Sequence, residues 1–180
     1  KPWPEGEGTS VDDLPPEVDA AALTAAIDFA FAEPDPGRPR RTRGVLVVYR
    51  GRIVAERYAP GFDMATRHIS NSVAKSFTCT LIGILVGQGK LSVYEPAPVA
   101  EWHAPGDPRG AITLDNLLRM SSGLQFDETY TSVRSDITRQ FANGDPAGYA
   151  AAKPLEAPPG TRWQYSTGTS NILARIVREN

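Results

Sequence analysis

The sequence has few of the residues on which disulfide-stabilised and metal-dependent proteins rely. Its single cysteine, Cys79, excludes a disulfide within the chain, and we expect its thiol to be buried and inert on a helix. The only histidines are His68 and His103, and neither they nor the acidic residues show the spacing of zinc ligands. We therefore expect no metal and no cofactor.

Long apolar runs and an excess of one charge are also missing. No run approaches the roughly 18 apolar residues that cross a bilayer, so no membrane span is predicted. The formal net charge of −2 over 180 residues gives no electrostatic reason to expect nucleic acid or an anionic membrane as a partner. The one basic cluster, GRPRRTRG at 37–44, lies in a Pro/Gly-rich approach to a strand, and we interpret it as a solvated loop.

The first residues, KPWPEGEGTS, lack the apolar stretch of a secretory signal. The compartment stays open: cytoplasmic, or periplasmic or secreted if a signal has been removed. Residues 1–18 are rich in proline, glycine and acids and are interpreted as an extended lead-in.

What is present is the composition of a globular protein, 41% hydrophobic and 22% charged. Residues 18–33 are rich in alanine and predict a helix that ends before Pro34. Two β-rich runs, 44–49 and 52–58, flank Arg50-Gly51 and predict a hairpin. The first run is nearly continuous in apolar residues, so we place it in the interior of a sheet.

Two further helices are predicted in the second half of the chain. Residues 112–124 predict a short helix that Thr113 caps and Gly123 stops. From about residue 169 the pattern is amphipathic. One face of that helix carries Ile172, Leu173, Ile176 and Val177.

A serine and a lysine, Ser72 and Lys75, stand three positions apart at the start of an apolar segment. This spacing puts both on one helix face, in the first turn if Ser70 or Asn71 is the N-cap. There, free backbone N–H groups favour a developing negative charge. The stripe Phe77, Leu81, Ile84 and Leu85 is expected to anchor the helix in the core. A capping serine followed by a lysine that snorkels to solvent is the alternative.

Other serine-nucleophile arrangements fit less well. The sequence has no G-x-S-x-G turn. His68 is interpreted as a strand-end or loop residue and His103 as a surface loop residue, so a Ser-His-Asp triad is not favoured.

Three segments in order carry a resemblance: RHISNSVAKSFTCTLIGILVGQGKLSVYEPA, ITLDNLLRMSSGLQFDETY and PPGTRWQYSTGTSNILARIV. Over roughly residues 44–180 the chain resembles the serine β-lactamase-related hydrolases. It is most similar to the branch with 6-aminohexanoate-dimer hydrolases, class C β-lactamase-like esterases and D-amino-acid peptidases.

The resemblance implies roles for three residues. Ser72 would be the acyl-forming nucleophile, Lys75 would hold its proton network, and Tyr165 would match the family's catalytic tyrosine. A phenol has a pKa near 10 and is a weak base alone, but a neighbouring ammonium favours the phenolate. Without the resemblance, Tyr165 would be interpreted as a core aromatic behind Trp163.

Two substrate-binding residues are implied as well, and one departs from the family. Class C β-lactamases end the tyrosine motif in asparagine, whereas Thr167 stands here. A hydroxyl lacks the paired donor and acceptor of an amide, so we expect weak β-lactam recognition. Tyr130 matches a tyrosine at the cleft mouth that touches the substrate amide; a plain surface tyrosine is the alternative.

The implied fold is α+β, β-lactamase/transpeptidase-like, with an antiparallel sheet flanked by helices and a mostly helical part. We expect three parts: 1–61 with the first helix and two strands, 62–160 mostly helical, and 161–180 with the tyrosine motif. The family's K-T-G strand has no match here, so the chain resembles the N-terminal half of such an enzyme. We expect it to need the other half.

The predicted function is metal-independent hydrolysis of a small-molecule ester or amide through an acyl-serine intermediate. The alternative is a penicillin-recognising sensor, or a degenerate binding domain without turnover. Assembly into a homo-oligomer is left open.

Overall fold

A computed structural model describes residues 14–180 of the chain, so most of the predicted lead-in over 1–18 lies outside the described residues. The chain divides into two compact units, Lys1–Ile69 and Ser70–Asn180. Across residues 14–180, no helix is both long and apolar enough to cross a membrane.

Over residues 14–69, the first unit holds one helix and a hairpin. Helix α1 is Ala20–Phe31, and its N-cap Asp19 accepts a hydrogen bond from the backbone N–H of Ala22 at 2.9 Å. The predicted helix over 18–33 is therefore confirmed to within two residues at each end. Residues 37–43 form neither helix nor strand and are mostly exposed, as predicted for the basic loop.

Strands β1 (Gly44–Tyr49) and β2 (Arg52–Tyr58) pair antiparallel. Arg50 and Gly51 both have positive φ, 48° and 80°, which is the backbone of a type I′ turn and confirms the hairpin. The interior position of β1 is wrong for the described residues, because the only strand beside it there is β2. Exposed and half-buried residues alternate along β1.

The second unit is helical. After a 3₁₀ turn at Asn71–Val73, its helices are α2 (Ala74–Gly87), α3 (Leu114–Leu118), α4 (Asp136–Phe141), α5 (Pro146–Ala151) and α6 (Thr167–Glu179); further 3₁₀ turns lie at Ala100–Trp102 and Pro108–Ala111. All five of these helices contribute side chains to the core of the unit. Trp102 also lies in this core, and its indole N–H donates to the carbonyl of Ala151 at 2.9 Å.

Helix α3 begins as predicted. The hydroxyl of Thr113 accepts from the N–H of Asn116 at 3.1 Å, and the Asn116 amide oxygen accepts from the N–H of Thr113 at 3.0 Å. This reciprocal cap fixes the start of the helix. The helix ends at Leu118, earlier than the predicted stop at Gly123, because Met120 already turns to a φ of 55°.

The predicted apolar face is confirmed for helix α6 but not for helix α2. Helix α6 starts two residues earlier than predicted and buries Ile172, Leu173 and Ile176, which confirms its apolar face. Helix α2 buries only Ile82, so the predicted core stripe is wrong: Phe77 is 64% exposed and Leu81 47% exposed. Cys79, on the same helix, is also exposed, so the prediction of a buried thiol is wrong.

Candidate active site

Ser72 lies in the 3₁₀ turn that leads into α2 rather than in an α-helical first turn. Its predecessor Asn71 has a φ of 44°, in the left-handed region that asparagine tolerates better than most residues. Ser70 stands at the N-cap but makes no side-chain cap hydrogen bond, so the predicted capping by this residue is wrong. The exposed turn leaves the Ser72 hydroxyl at the surface.

Lys75 contacts Ser72, Thr167 and Tyr165, three of the predicted site residues. Its Nζ donates to Ser72 Oγ at 3.1 Å and to Thr167 Oγ1 at 3.3 Å. It also lies 4.9 Å from the centre of the Tyr165 ring. The lysine is therefore not snorkelling away from the serine, because two neighbouring hydroxyl oxygens and one aromatic face surround its ammonium.

Tyr165 is half-buried and belongs to a loop that is fixed by its neighbours. The Gln164 N–H donates to the Met120 carbonyl and the Gln164 side-chain amide donates to the Phe126 carbonyl, each at 2.8 Å. These two bonds hold the residue before Tyr165 on both its backbone and its side chain. The exposed Trp163 does not cover Tyr165 as a core partner would.

The start of α6 sets the position of Thr167. Ser166 caps the helix, with its hydroxyl accepting from the N–H of Thr169 at 3.0 Å. Gly168 packs directly on the ring of Phe126, and a Cβ at this position would overlap that ring. The close approach allowed by glycine therefore places the first turn of α6 beside the loop that contains Phe126.

The protonation of Tyr165 is shifted by its neighbours. Hydrogen bonding with Ser72, and then with Lys75, lowers the pKa of the Tyr165 phenol below its ordinary value, and the Lys75 charge acts in the same direction. Partial burial and the Glu128 carboxylate oppose this shift in pKa. The net result is a lowered pKa, so Tyr165 ionises more readily than an ordinary tyrosine.

Glu128 is a site residue that sequence reasoning missed. Its Oε2 accepts from the Thr167 N–H at 2.9 Å, and its Oε1 accepts from the Thr167 hydroxyl and from the Tyr130 phenol, the latter at 2.9 Å. The Glu128 hydrogen bond raises the pKa of Tyr130. The one available signal was its position two residues before Tyr130, inside a polar loop with several acids.

A cavity of about 640 Å³ opens beside these groups. This is within the range of about 300–1,000 Å³ that small-molecule sites occupy. The side chains that line it come from the turn before α2, α2 itself, the loop of Tyr130, α4 and α6: Asn71, Ser72, Ala74, Lys75, Thr78, Tyr130, Ile137, Phe141, Thr167, Ser170, Asn171 and Ala174. Polar side chains therefore line much of the cavity, and α4 contributes the apolar Ile137 and Phe141.

All five residues selected from the sequence lie in this one region. Ser72, Lys75, Tyr130 and Thr167 line the cavity, and Tyr165 lies against Lys75. Within residues 14–180, no cluster of three or more His, Cys, Asp or Glu side chains is arranged to hold a metal ion. The arrangement provides a hydroxyl, an ammonium and a phenol of lowered pKa, which is a set that can activate a nucleophile and transfer its proton.

Comparison with known proteins gives the family and the fold. The β-lactamase family model matches residues 32–180. The 6-aminohexanoate-dimer hydrolase of Paenarthrobacter ureafaciens is 27% identical over 146 residues, which cover 76% of this chain and 37% of that protein. The chain thus spans well under half the length of this curated relative.

Two solved structures share the fold. One is a Bacillus anthracis protein provisionally named a 6-aminohexanoate-dimer hydrolase, with a TM-score of 0.60 and 22% identity over 87% of this chain and 42% of that chain. The other is a Bacteroides dorei protein provisionally named a β-lactamase, also with a TM-score of 0.60 and 22% identity, over 88% of this chain and 44% of that chain. The predicted β-lactamase-like α+β fold is confirmed.

Proposed function

The chain belongs to the β-lactamase family of serine hydrolases, and on that premise we propose that it hydrolyses an ester or amide bond through an acyl intermediate on Ser72. The observation that carries this proposal is the position of Lys75, 3.1 Å from Ser72 Oγ and 4.9 Å from the Tyr165 ring centre. The relative named a 6-aminohexanoate-dimer hydrolase supports an amide among the substrates.

Tyr165 acts as the general base in this proposal. Its lowered pKa increases the phenolate fraction near neutral pH, and the phenolate takes the Ser72 proton as the serine oxygen attacks the substrate carbonyl. Lys75 stabilises the phenolate by its charge and holds the serine oxygen by its hydrogen bond. The protonated Tyr165 then gives its proton to the leaving amine or alcohol as the carbonyl–heteroatom bond breaks.

A water molecule completes the reaction. Tyr165, now a phenolate again, removes a proton from the water, whose oxygen attacks the acyl carbonyl. The bond to Ser72 Oγ breaks, the serine regains its proton through Tyr165, and the acid product leaves. This cycle uses no redox change: the Ser72 proton leaves on the amine or alcohol, a proton of the water replaces it on the serine, and Ser72 and Tyr165 end in their starting protonation states.

The cavity supports a small, partly apolar substrate. Ile137 and Phe141 line it on one side, so an aliphatic or aryl group can pack there while the scissile carbonyl lies at Ser72. Tyr130 contributes to its lining, and because its phenol hydrogen is donated to Glu128, its oxygen can accept a hydrogen bond from the N–H of a substrate amide. Thr167 in place of an amide side chain supports only weak β-lactam turnover.

We also propose that activity needs protein beyond these 180 residues, since relatives of this family are more than twice as long. Within the chain, the division into residues 1–61, 62–160 and 161–180 stays a prediction.

The experiment is to assay the full-length protein with p-nitrophenyl esters, short amide oligomers and a chromogenic cephalosporin. We expect ester or amide turnover and covalent labelling by a fluorophosphonate. Ser72→Ala should abolish labelling and nearly all turnover, because the nucleophile is removed. Ser76→Ala is the matched control: Ser76 is an exposed serine of the same segment that does not line the cavity, and its loss should change neither readout.

Two results would contradict the proposal in different ways. Labelling that persists in Ser72→Ala would place the nucleophile elsewhere. Stable acylation of Ser72 without release of product would instead indicate the sensor or binding domain, because acylation would then be uncoupled from turnover.

A further inference from the structure

The carboxylate of Glu128 makes more hydrogen bonds in the site than any proposed catalytic group there. It accepts from both the N–H and the hydroxyl of Thr167, and it accepts from the Tyr130 phenol at 2.9 Å. An ionised carboxylate only accepts hydrogen bonds. The three donors therefore all point toward Glu128, and their directions are fixed by its charge.

The direction of the Thr167 hydroxyl has a consequence for Lys75. A threonine hydroxyl has one hydrogen, and here Glu128 takes it. The oxygen of Thr167 is left as an acceptor, and Lys75 Nζ donates to it at 3.3 Å. The same ammonium donates to Ser72 Oγ at 3.1 Å, so the two bonds together determine where the ammonium lies.

We infer that Glu128 is a positioning residue: by taking the Thr167 hydrogen it makes Thr167 an acceptor that holds the Lys75 ammonium against Ser72. By taking the Tyr130 hydrogen it likewise leaves the Tyr130 oxygen as an acceptor. The inference rests on the proposed function, since it concerns the order of the groups around the proposed nucleophile. It also explains Thr167 itself, because a threonine serves as this relay only beside an acceptor such as Glu128.

The groups around the two tyrosines shift the pKa values of the two phenols in opposite directions. Facing Tyr165 are the Ser72 hydroxyl and the Lys75 ammonium, which lower its pKa, and the Glu128 carboxylate, which raises it. Facing Tyr130 are the Glu128 carboxylate, whose hydrogen bond and charge raise the pKa of that phenol, the Thr167 hydroxyl, which lowers it, and Tyr165, which raises it; the net pKa is raised. Glu128 thus keeps Tyr130 protonated, while Lys75 leaves Tyr165 as the phenol that ionises first.

Glu128→Gln in the full-length protein tests the inference, because it keeps the size of the side chain and removes its charge. We expect kcat to fall roughly tenfold or more, the effect of losing a charge-assisted hydrogen bond, with a smaller change in KM. Removal of the negative charge lowers the Tyr165 pKa further. The rising limb of kcat/KM against pH should therefore move to lower pH.

Three further variants separate positioning from a general loss of structure. Thr167→Val removes the acceptor for Lys75 at nearly constant shape, and Thr167→Ser restores a hydroxyl and should recover most of the activity. The double variant Glu128→Gln/Thr167→Val should be little worse than Thr167→Val alone, since both changes break one relay. Glu156→Gln, a carboxylate paired with Arg162 outside the cavity lining, should leave the pH limb in place.

A readout without turnover keeps this inference separate from the proposed function. With tyrosine labelled at Cζ, NMR titration of Tyr165 should show a lower pKa in Glu128→Gln than in the parent, whether or not the parent turns over a given substrate. An unchanged titration of Tyr165, or independent and additive losses from Glu128→Gln and Thr167→Val, would overturn the inference. Failure of the proposed function would show instead as absent labelling of Ser72 in the parent.

Discussion

Helices α2 and α6 meet at the same site but relate differently to the core. Helix α6 buries Ile172, Leu173 and Ile176, whereas α2 buries Ile82 alone. The N-terminal end of each helix carries residues of the candidate site: Ser72 and Lys75 at α2, and Thr167 at α6. The α6 side of the site thus has the larger apolar anchor, while the α2 side combines the buried Ile82 with the hydrogen bond from Lys75 to Thr167.

The difference between α2 and α6 shows when an apolar pattern predicts the buried face of a helix. The polar residues of α6 confine its apolar side chains to one face, so only that face can be the buried one. The segment of α2, AKSFTCTLIGILVG, is apolar on nearly every side. Such a sequence is typical of a helix that is covered all round, and it does not tell which of its faces meets a particular neighbour.

The largest expected effect comes from Tyr165→Phe, which removes the phenol between the two helix ends and keeps the ring. We expect turnover to fall at least about 100-fold, the lower end of general-base contributions. Thermal stability should change little. Tyr94→Phe is the control, because Tyr94 is 81% exposed and lies outside the cavity lining.

Near-normal turnover of Tyr165→Phe, measured with the same substrates, would show that Lys75 is the base without help. In that case α2 alone would carry the acid–base chemistry, and α6 would serve only to hold Thr167.

Ile176→Ala tests the part of the site that the core fixes. Ile176 is fully buried, so deletion of its side chain leaves a cavity and should lower the free energy of unfolding by about 2–5 kcal/mol. Urea denaturation measures this value. Arg178→Ala, an exposed position on the same helix, should stay within about 0.5 kcal/mol. Equal losses at the two positions would mean that α6 is not held by its apolar face.

Much of the fold and site was predictable because local chemistry determines it. The hairpin at Arg50-Gly51, the cap at Thr113 and the stripe of α6 each depend on neighbours in sequence. The spacing of Ser72 and Lys75 likewise places them together on the segment that opens α2. The position of Tyr165 against Lys75 came only from the resemblance, since 90 residues separate them.

The wrong and missed predictions concern residues whose burial or partners depend on contacts with residues far away in the sequence. The exposed Cys79 and Leu81 depend on which side of α2 meets other elements, and its sequence is apolar on both. Glu128 was missed because its partner Thr167 lies far away along the chain. A polar loop with several acids gives no sign of which one turns inward.

Asp136 is a buried carboxylate that accepts hydrogen bonds from Tyr149 and Lys153. Burial alone would raise the pKa of this carboxyl, but hydrogen bonds from Lys153 and Tyr149 lower it overall. Because the pKa of this carboxyl is lower in the folded than in the unfolded state, its ionised form stabilises the folded protein. This stabilisation is fully present above the unfolded pKa of about 4 and is lost as the pH falls through the folded pKa.

We therefore expect Asp136→Asn to lower the free energy of unfolding at neutral pH by about 1–2 kcal/mol. The difference from the parent should shrink as pH drops below about 4, because the parent carboxyl is then protonated too. Urea denaturation across this pH range measures it. Asp115→Asn, in the more exposed pair with Arg119, should change stability by less than about 0.5 kcal/mol. A deficit in Asp136→Asn that does not depend on pH would assign the effect to packing.

The smallest effect is expected for Leu81→Ala, which tests the exposed side of α2 most directly. Leu81 is 47% exposed and its neighbour Ile82 only 1% exposed, so the same truncation can be compared one residue apart on one helix. Leu81→Ala should cost less than about 1 kcal/mol, because half of its side chain already meets solvent. Ile82→Ala should cost about 2–5 kcal/mol, because it opens a cavity. Urea denaturation of both variants gives the two values. If Leu81→Ala cost as much as Ile82→Ala, the exposed face of α2 would be covered in solution, and the contrast with α6 would disappear.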